Sequence, residues 1–353
     1  MKKIINRIFN ERFPPVFIAE ISANHNGNIN NAKKLILAAK KNGADIVKLQ
    51  TYEPRNMTIN SSRNDFLVKD GIWKGYKLWD LYKKAQTPLS WQKELFQYAK
   101  KINMPCFSTP YDDEGVNLLK NLNSNLYKIS SFEMQDSSLV KKICKLGKPV
   151  IISTGLANLD EIKRTFSIAK NSGCQQLVLL YCVSSYPAKN KDFNLNNIDI
   201  LKKKFNCTIG FSDHSTDNSV AMIAISRGAR VIEKHIALEG QKTGLDIQFS
   251  IKGRQIKKFK EDILKAWTLT GKKQFTRSKN ELKNIKFQRS IYVVKEIKKG
   301  ELFSDKNIKR IRPGYSLSAN KWEFIIGKKS KKNYKIGSRI SLGDIKNNNI
   351  NNQ

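Results

Sequence analysis

Gly210-Phe-Ser-Asp-His-Ser215 and, one helical pattern later, Val231-Ile-Glu-Lys-His235 are short apolar runs that stop abruptly at chemically able side chains. Two of the chain's three histidines stand at these run ends. A parallel strand covered on both faces stays apolar until it leads into a site, and then changes character at once. The same pattern recurs on either side. Apolar runs occur at Val16–Glu20, Asp45–Gln50, Pro105–Thr109, Leu126–Ser130, Pro149–Thr154, Leu177–Cys182, Thr208–Ser212 and Arg230–His235. Amphipathic segments at helical spacing lie between them: Asn31–Asn42, Trp91–Asn103, Glu114–Leu122, Leu159–Ser172 and Asn218–Gly228. Asn42-Gly43, Ser172-Gly173 and Arg227-Gly228 supply left-handed helix stops before the next strand. Strands alternating with helices eight times over roughly 250 residues predict an α/β fold, a (β/α)8 TIM barrel. A doubly wound open sheet is the alternative, but no G-x-G-x-x-G follows the first run.

One insertion interrupts the alternation, from Tyr52 to Trp91, and it is rich in Trp, Tyr and charge. Loops of this length in a compact domain are usually lids or binding loops. The barrel is expected over residues 1–271, followed by a polar linker at 272–286 and a small β-rich segment at 287–346. Residues 347–353 read as a disordered tail. The small segment carries an internal echo, with Ile297-Lys-Lys-Gly-Glu-Leu-Phe-Ser-Asp-Lys-Asn-Ile308 resembling Tyr334-Lys-Ile-Gly-Ser-Arg-Ile-Ser-Leu-Gly-Asp-Ile345.

Composition narrows the function classes. Of the 353 residues 40% are hydrophobic, enough for a sizeable core, and no stretch approaches the roughly 20 apolar residues that span a bilayer. The opening Met1-Lys-Lys-Ile-Ile-Asn-Arg-Ile-Phe is too short and polar for a signal peptide, so a cytoplasmic protein without a membrane partner is expected. A net charge of +35 invites a nucleic-acid reading. The lysines, however, are spread over the whole chain among many Asn and Ile, the composition of AT-rich coding, and no nucleic-acid motif appears. The five cysteines are dispersed without C-x-x-C spacing, which argues against a disulfide framework or a structural zinc site.

In a barrel the C-terminal strand ends converge on one pocket. They supply Glu20, Lys48, Gln50, Ser108, Thr109, Lys128, Ser130, Ser131, Ser153, Ser184, Tyr186, Ser212, Asp213, His214, Glu233 and His235. Lys, Ser and Thr in such number suit a phosphate or carboxylate. Lys48 and Lys128 sit between apolar neighbours and must find an anion, because an unpaired buried ammonium is costly. Pairing with Glu20 or Glu233 would merely staple the core; a Schiff-base lysine is another option; two lysines with several hydroxyls favour phosphate binding. His214 and His235 are close enough at adjacent strand ends to share a metal ion, or one is a general base and the other structural; spacing alone leaves these even. Glu20 is a candidate acid/base or a salt-bridge partner. Arg312, in Arg310-Ile-Arg-Pro-Gly314, reads in isolation as a solvated turn residue.

Several blocks together resemble the sialic acid synthase family: Ala19-Glu-Ile-Ser-Ala-Asn-His-Asn-Gly27, Gly43-Ala-Asp-Ile-Val-Lys-Leu-Gln-Thr51, Phe107-Ser-Thr-Pro110 and Tyr127-Lys-Ile-Ser-Ser-Phe-Glu133. Ile152-Ser-Thr-Gly155, Tyr181-Cys-Val-Ser-Ser-Tyr-Pro187 and the two opening stretches continue the match, and the C-terminal segment looks like the family's antifreeze-like (SAF, β-clip) domain. Asn64-Asp-Phe-Leu-Val-Lys-Asp-Gly-Ile-Trp-Lys-Gly75 and Arg289-Ser-Ile-Tyr-Val-Val294 resemble the branch that uses 2,4-diacetamido-2,4,6-trideoxy-altropyranose, whereas the sialic and legionaminic acid branches usually differ in this loop. The resemblance implies a transferase condensing phosphoenolpyruvate with an amino-sugar aldehyde to a nine-carbon 2-keto acid and phosphate. It implies Lys48, Thr109, Lys128, Ser131, Ser153, Ser184 and Ser212 around phosphoenolpyruvate, and Gln50, Tyr186, Asp246 and Arg312 on the sugar. It also implies a divalent metal ion (Mn²⁺, with Mg²⁺ or Co²⁺ as alternatives) on His214 and His235, with Glu20 or the metal activating water. A domain-swapped homodimer follows, in which the small domain delivers Arg312 to the partner's barrel.

Overall fold

The structure is a computed structural model describing residues 1–272 and 274–346, so the tail expected at 347–353 lies outside the described residues. It divides into two compact units, Met1–Gly271 and Lys272–Gln353.

The first unit is a closed barrel. Its strands are β1 (Val16–Glu20), β2 (Ile46–Thr51), β3 (Cys106–Pro110), β4 (Tyr127–Ile129), β5 (Val150–Ser153), β6 (Leu177–Cys182), β7 (Thr208–Asp213) and β8 (Val231–Ala237). They run in sequence order, all parallel, and β8 pairs back onto β1. A further short strand, β9 (Ile251–Lys252), pairs in parallel with the end of β8. The period of two along each strand divides the side chains between helix-facing and barrel-filling sets. Phe17, Ala19, Val47, Leu49, Ile129 and Ile152 pack outward in the larger apolar cluster. Val16, Ile18, Ile46, Phe107, Leu126, Ile151, Val178 and Val231 form a second cluster that fills the barrel.

Following the inward set up each strand locates the site. The progression runs Val16, Ile18, Glu20 on β1 and Val231, Glu233, His235 on β8; from Leu126, β4 continues to Lys128. The lower layers are apolar and the upper layer is charged. Gly210 belongs to this packing: a Cβ there would meet Leu180 Cδ2 and the Val231 carbonyl oxygen at 2.5 Å. Only a residue without a side chain admits β7 at that separation.

Helices follow the strands at Ile29–Lys41, Leu89–Lys101, Asp113–Asn121, Ser137–Cys144, Leu159–Asn171, Asn197–Lys204, Asn218–Ser226 and Arg254–Thr270. Every expected strand is present within two residues of its sequence bounds. Several helices go beyond the segments named from the sequence, among them Arg254–Thr270. Lys2–Phe9 is a helix whose Ile8 joins the barrel-filling cluster from below. Arg230 holds the chain after it, Nη2 donating to the carbonyls of Arg7, Asn10 and Phe13. Ser137–Cys144 and Asn197–Lys204 are only eight residues each, too short for a clear period in sequence. The insertion after β2 is structured: Leu67 pairs with Lys77 across a tight loop, and a helix covers Leu78–Ala85.

In the second unit β10 (Ser290–Val293), β11 (Ile308–Ile311) and β12 (Leu317–Ser318) form an antiparallel sheet in the order β11-β10-β12. Ile291, Val293, Ile297, Phe303, Ile308, Ile325 and Ile340 make its core. The two echoing segments pair with each other, Ile297 with Tyr334 in an antiparallel bridge. The stretch expected as plain linker contains a helical turn at Lys279–Leu282.

Candidate active site

A cavity of about 320 Å³ opens at the C-terminal ends of the barrel strands. Its floor is an ion network made by the first charged layer. Lys48 Nζ lies 2.5 Å from Glu20 Oε2 and 3.3 Å from Glu233 Oε1. Lys128 Nζ lies 3.6 Å from the same Glu233 oxygen, which also accepts the Ser212 hydroxyl at 3.1 Å. All four charged groups are buried. Burial raises the Glu20 carboxyl and lowers the Lys128 ammonium, each outweighing its partner's pull. For Glu233 burial acts upward, yet Lys128 and Lys48 together bring the carboxyl down to about 2. The lysine–glutamate pairing that the sequence allowed is therefore present. Lys128 remains the less satisfied cation, its one carboxylate partner among the described residues being 3.6 Å away.

Hydroxyls ring this floor. Ser153 Oγ is buried with no partner among the described residues. Ser131 Oγ accepts the Gly155 N–H at 3.1 Å. A Cβ on Gly155 would meet Ser184 Oγ at 2.1 Å and Ser131 Oγ at 2.8 Å, so this glycine lets the ends of β4, β5 and β6 converge.

His214 and His235 face each other above the network, with ring centroids 5.5 Å apart. The Val183 carbonyl lies 3.1 Å from His214 Nδ1, so that nitrogen carries a proton; burial lowers this imidazole, but Cys182 and the Val183 carbonyl together raise it. His235 Nδ1 is buried without a hydrogen-bond partner among the described residues, 3.6 Å from Asp246 Oδ2. Burial, then the neighbouring His214, hold His235 well below the usual imidazole range. A divalent ion would take both imidazoles in their neutral form and keep its other positions open to substrate or water. Among the described residues no third His, Cys, Asp or Glu completes a metal-holding group.

The other sequence candidates divide clearly. Gln50, Tyr186 and Asp246 line the cavity with Lys48, Lys128, Ser131, Ser153, Ser212, His214 and His235. Tyr186 packs its ring on His214 at 4.6 Å, and burial raises the Asp246 carboxyl. Glu20, Thr109 and Ser184 do not line it. Glu20 is wholly buried beneath Lys48, its other oxygen accepting the Ser22 N–H at 2.7 Å, so the expected acid/base carboxylate does not reach the cavity. Thr109 Oγ1 lies 3.4 Å from Lys48 Nζ, supporting the lysine from below. Ser108 turns away to the Thr51 hydroxyl at 2.6 Å. Arg312 is an exposed residue of the second unit, just after β11.

The cavity also contains residues the sequence reading did not single out. Glu133 is one, its carboxylate accepting the Ser130 hydroxyl and raised by burial to about 7. It lies beyond the end of β4, and the polar run Ser130-Ser-Phe-Glu133 was the available signal. Tyr52, Tyr111 and Trp73 line the wall.

Comparisons with known proteins give the family and agree with the barrel fold. The NeuB family model matches residues 35–275. A pseudaminic acid synthase from Campylobacter jejuni subsp. jejuni serotype O:2 is 40% identical over 336 residues, 95% of this chain and 98% of that one. An N,N'-diacetyllegionaminic acid synthase from the same organism is 37% identical over 324 residues, 91% of this chain and 97% of that one. The crystal structure of an N-acetylneuraminic acid synthetase from Leptospira borgpetersenii serovar Hardjo-bovis superposes with a TM-score of 0.69 at 29% identity, covering 78% of this chain and 91% of that one.

Proposed function

The chain belongs to the NeuB family, and from that premise we propose that it acts as a pseudaminic acid synthase. It joins phosphoenolpyruvate to the open-chain aldehyde of 2,4-diacetamido-2,4,6-trideoxy-altropyranose. C3 of the enol forms a bond to the aldehyde carbon, and the aldehyde oxygen takes a proton. Water adds to C2 of the resulting oxocarbenium-like species. Collapse of that adduct breaks the C2–O bond to phosphate, leaving the 2-keto acid and inorganic phosphate. The observation that carries the reading is the near-full-length likeness to a synthase of this name, together with a floor of two buried lysines ringed by hydroxyls.

Lys128 supplies the cation for phosphoenolpyruvate, since its own carboxylate is distant, and Lys48 supplies the second charge, supported by Glu20 and Thr109. Ser131, Ser153 and Ser212 give the hydroxyl donors, Ser153 with no internal partner among the described residues to lose. His214 and His235 would hold the divalent ion, which when bound polarises the aldehyde oxygen. Proton removal from the attacking water is assigned to Glu133, the cavity carboxylate whose proton is balanced near neutrality. Gln50, Tyr186 and Asp246 orient the sugar.

The second unit is read as the SAF domain, and the functional assembly as a domain-swapped homodimer in which Arg312 meets the sugar in its partner's barrel. The internal echo and the Arg312-Pro-Gly314 turn support this reading. No helix among the described residues is long and apolar enough to cross a membrane, in keeping with work on cytoplasmic metabolites.

A legionaminic acid synthase activity with a different hexose is the second reading, favoured by the 37% identity to such an enzyme. Mass spectrometry and NMR of the product from a panel of hexoses separates the two. A nine-carbon acid from the altro sugar supports the proposal, and product only from another hexose supports the second reading. No product from any hexose sinks both. Activity that survives full chelation with EDTA would remove the metal role from His214 and His235.

A further inference from the structure

We propose that the insertion between Tyr52 and Trp91 builds an apolar wall that selects hexoses whose hydroxyls are replaced by acetamido groups or hydrogen, a proposal that rests on the condensation described above. The cavity is chemically two-sided. Its floor is charged and hydroxylated, whereas Val68, Trp73, Leu78 and Leu81 line it from the insertion, beside Tyr82 and Tyr52, whose hydroxyl donates to the Tyr82 carbonyl at 3.4 Å. Val68, Leu78 and Leu81 carry no polar side-chain atom. The Trp73 indole N–H is already committed, donating to the Leu245 carbonyl at 3.0 Å.

The wall is held in place rather than loosely draped. The Trp73 ring packs on Tyr186, a floor-side residue, with centroids 5.3 Å apart. Val68 exchanges backbone hydrogen bonds across its loop, its N–H donating to Tyr76 at 2.9 Å and its carbonyl accepting from Gly75 at 2.9 Å. Leu81 is anchored in the Leu78–Ala85 helix. Yet Val68, Trp73 and Leu78 remain only partly buried, so their apolar surface is left for a ligand.

With phosphoenolpyruvate on the lysines and the aldehyde near the histidines, the far substituents of the sugar meet this wall. An acetamido methyl or a deoxy carbon gains from contact with it. A sugar hydroxyl there gives up water and finds no partner. Val68, Leu78 and Leu81 offer no polar group with which to read ring configuration, so this part of the wall sorts functional groups rather than epimers.

Val68→Thr adds a hydroxyl at nearly constant volume, and Leu78→Gln adds an amide. The measurement is kcat/KM for a 2,4-diacetamido-2,4,6-trideoxy hexose against a 2-acetamido-2-deoxy hexose with hydroxyls at C4 and C6, beside the KM for phosphoenolpyruvate. The parent should prefer the trideoxy sugar by about 10- to 100-fold, the range that apolar pockets achieve against an added hydroxyl. Each variant should cut that preference by about tenfold through the sugar KM, with the KM for phosphoenolpyruvate unchanged. Parental selectivity in both variants overturns the wall's role, as does a parallel rise in the KM for phosphoenolpyruvate. No phosphate release by the parent with any hexose overturns the proposed function and the wall with it.

Discussion

Asp213 Oδ2 lies 3.1 Å from Lys234 Nζ, and both side chains are buried on the outer face of the barrel, the ammonium 5.9 Å from the centre of the Phe259 ring. The two residues are register partners across β7 and β8. Each immediately precedes a cavity histidine, and successive strand residues face opposite ways. An ion pair behind the sheet thus fixes which layer His214 and His235 occupy. Lys234→Met leaves the Asp213 carboxylate buried and unpaired, and should cost roughly 3–5 kcal/mol of stability. Lys234→Met with Asp213→Asn should recover much of that loss. Denaturant unfolding checks both, and a single variant within experimental error of the parent would contradict the role.

Lys128→Ala should raise the KM for phosphoenolpyruvate by roughly 10- to 100-fold, the worth of one charge-assisted hydrogen bond. The sugar KM should move far less. Steady-state kinetics with each substrate varied separately decides this. An unchanged KM for phosphoenolpyruvate takes Lys128 out of the anion site.

Glu133 gives the pH dependence a definite sign. Its carboxyl is raised by burial from 4.5 to about 7. Between those values the native state binds a proton that the unfolded chain has released, so this group's contribution to stability falls as pH rises through the window. Glu133→Gln should abolish that fall. If the carboxylate is the base for water addition, kcat should climb with an apparent pKa near 7, and the variant should lose the limb. A variant that keeps the limb assigns the base elsewhere.

Much of this site is legible because buried strands leave their inner residues no choice. The strand ends of the sequence put Glu20, Lys48, Lys128 and Glu233 in one pocket, and the structure joins them in one ion network. Periodicity does not give depth. Glu20 and Lys48 stand level in the register of β1 and β2, yet Glu20 is sealed beneath the lysine ammonium and does not line the cavity. Glu133 escaped for the opposite reason, because it rises from a loop that has no period. Lys234 looked like one more lysine in a basic chain; only its register with Asp213 shows it to be internal. The Lys2–Phe9 helix starts without a side-chain cap, so only its packing under the barrel reveals it.

The swapped assembly can be tested by complementation. His235→Ala and Arg312→Ala are each expected to be nearly inactive as homodimers. Mixed after unfolding and refolding together, half the dimers are heterodimers, and in a swapped arrangement each contains one intact site. About a quarter of parental activity should therefore return. If Arg312 serves its own barrel, no site in the mixture is whole and no activity returns.

The fate of one oxygen atom tests the condensation most directly. Phosphoenolpyruvate labelled with ¹⁸O at its bridging position is mixed with the trideoxy hexose, Mn²⁺ and the enzyme, and both products are weighed by mass spectrometry. Addition of water at C2 followed by C–O cleavage sends the label into inorganic phosphate, one equivalent for each nine-carbon acid formed. Label retained in the organic product, or phosphate released without that acid, would contradict it.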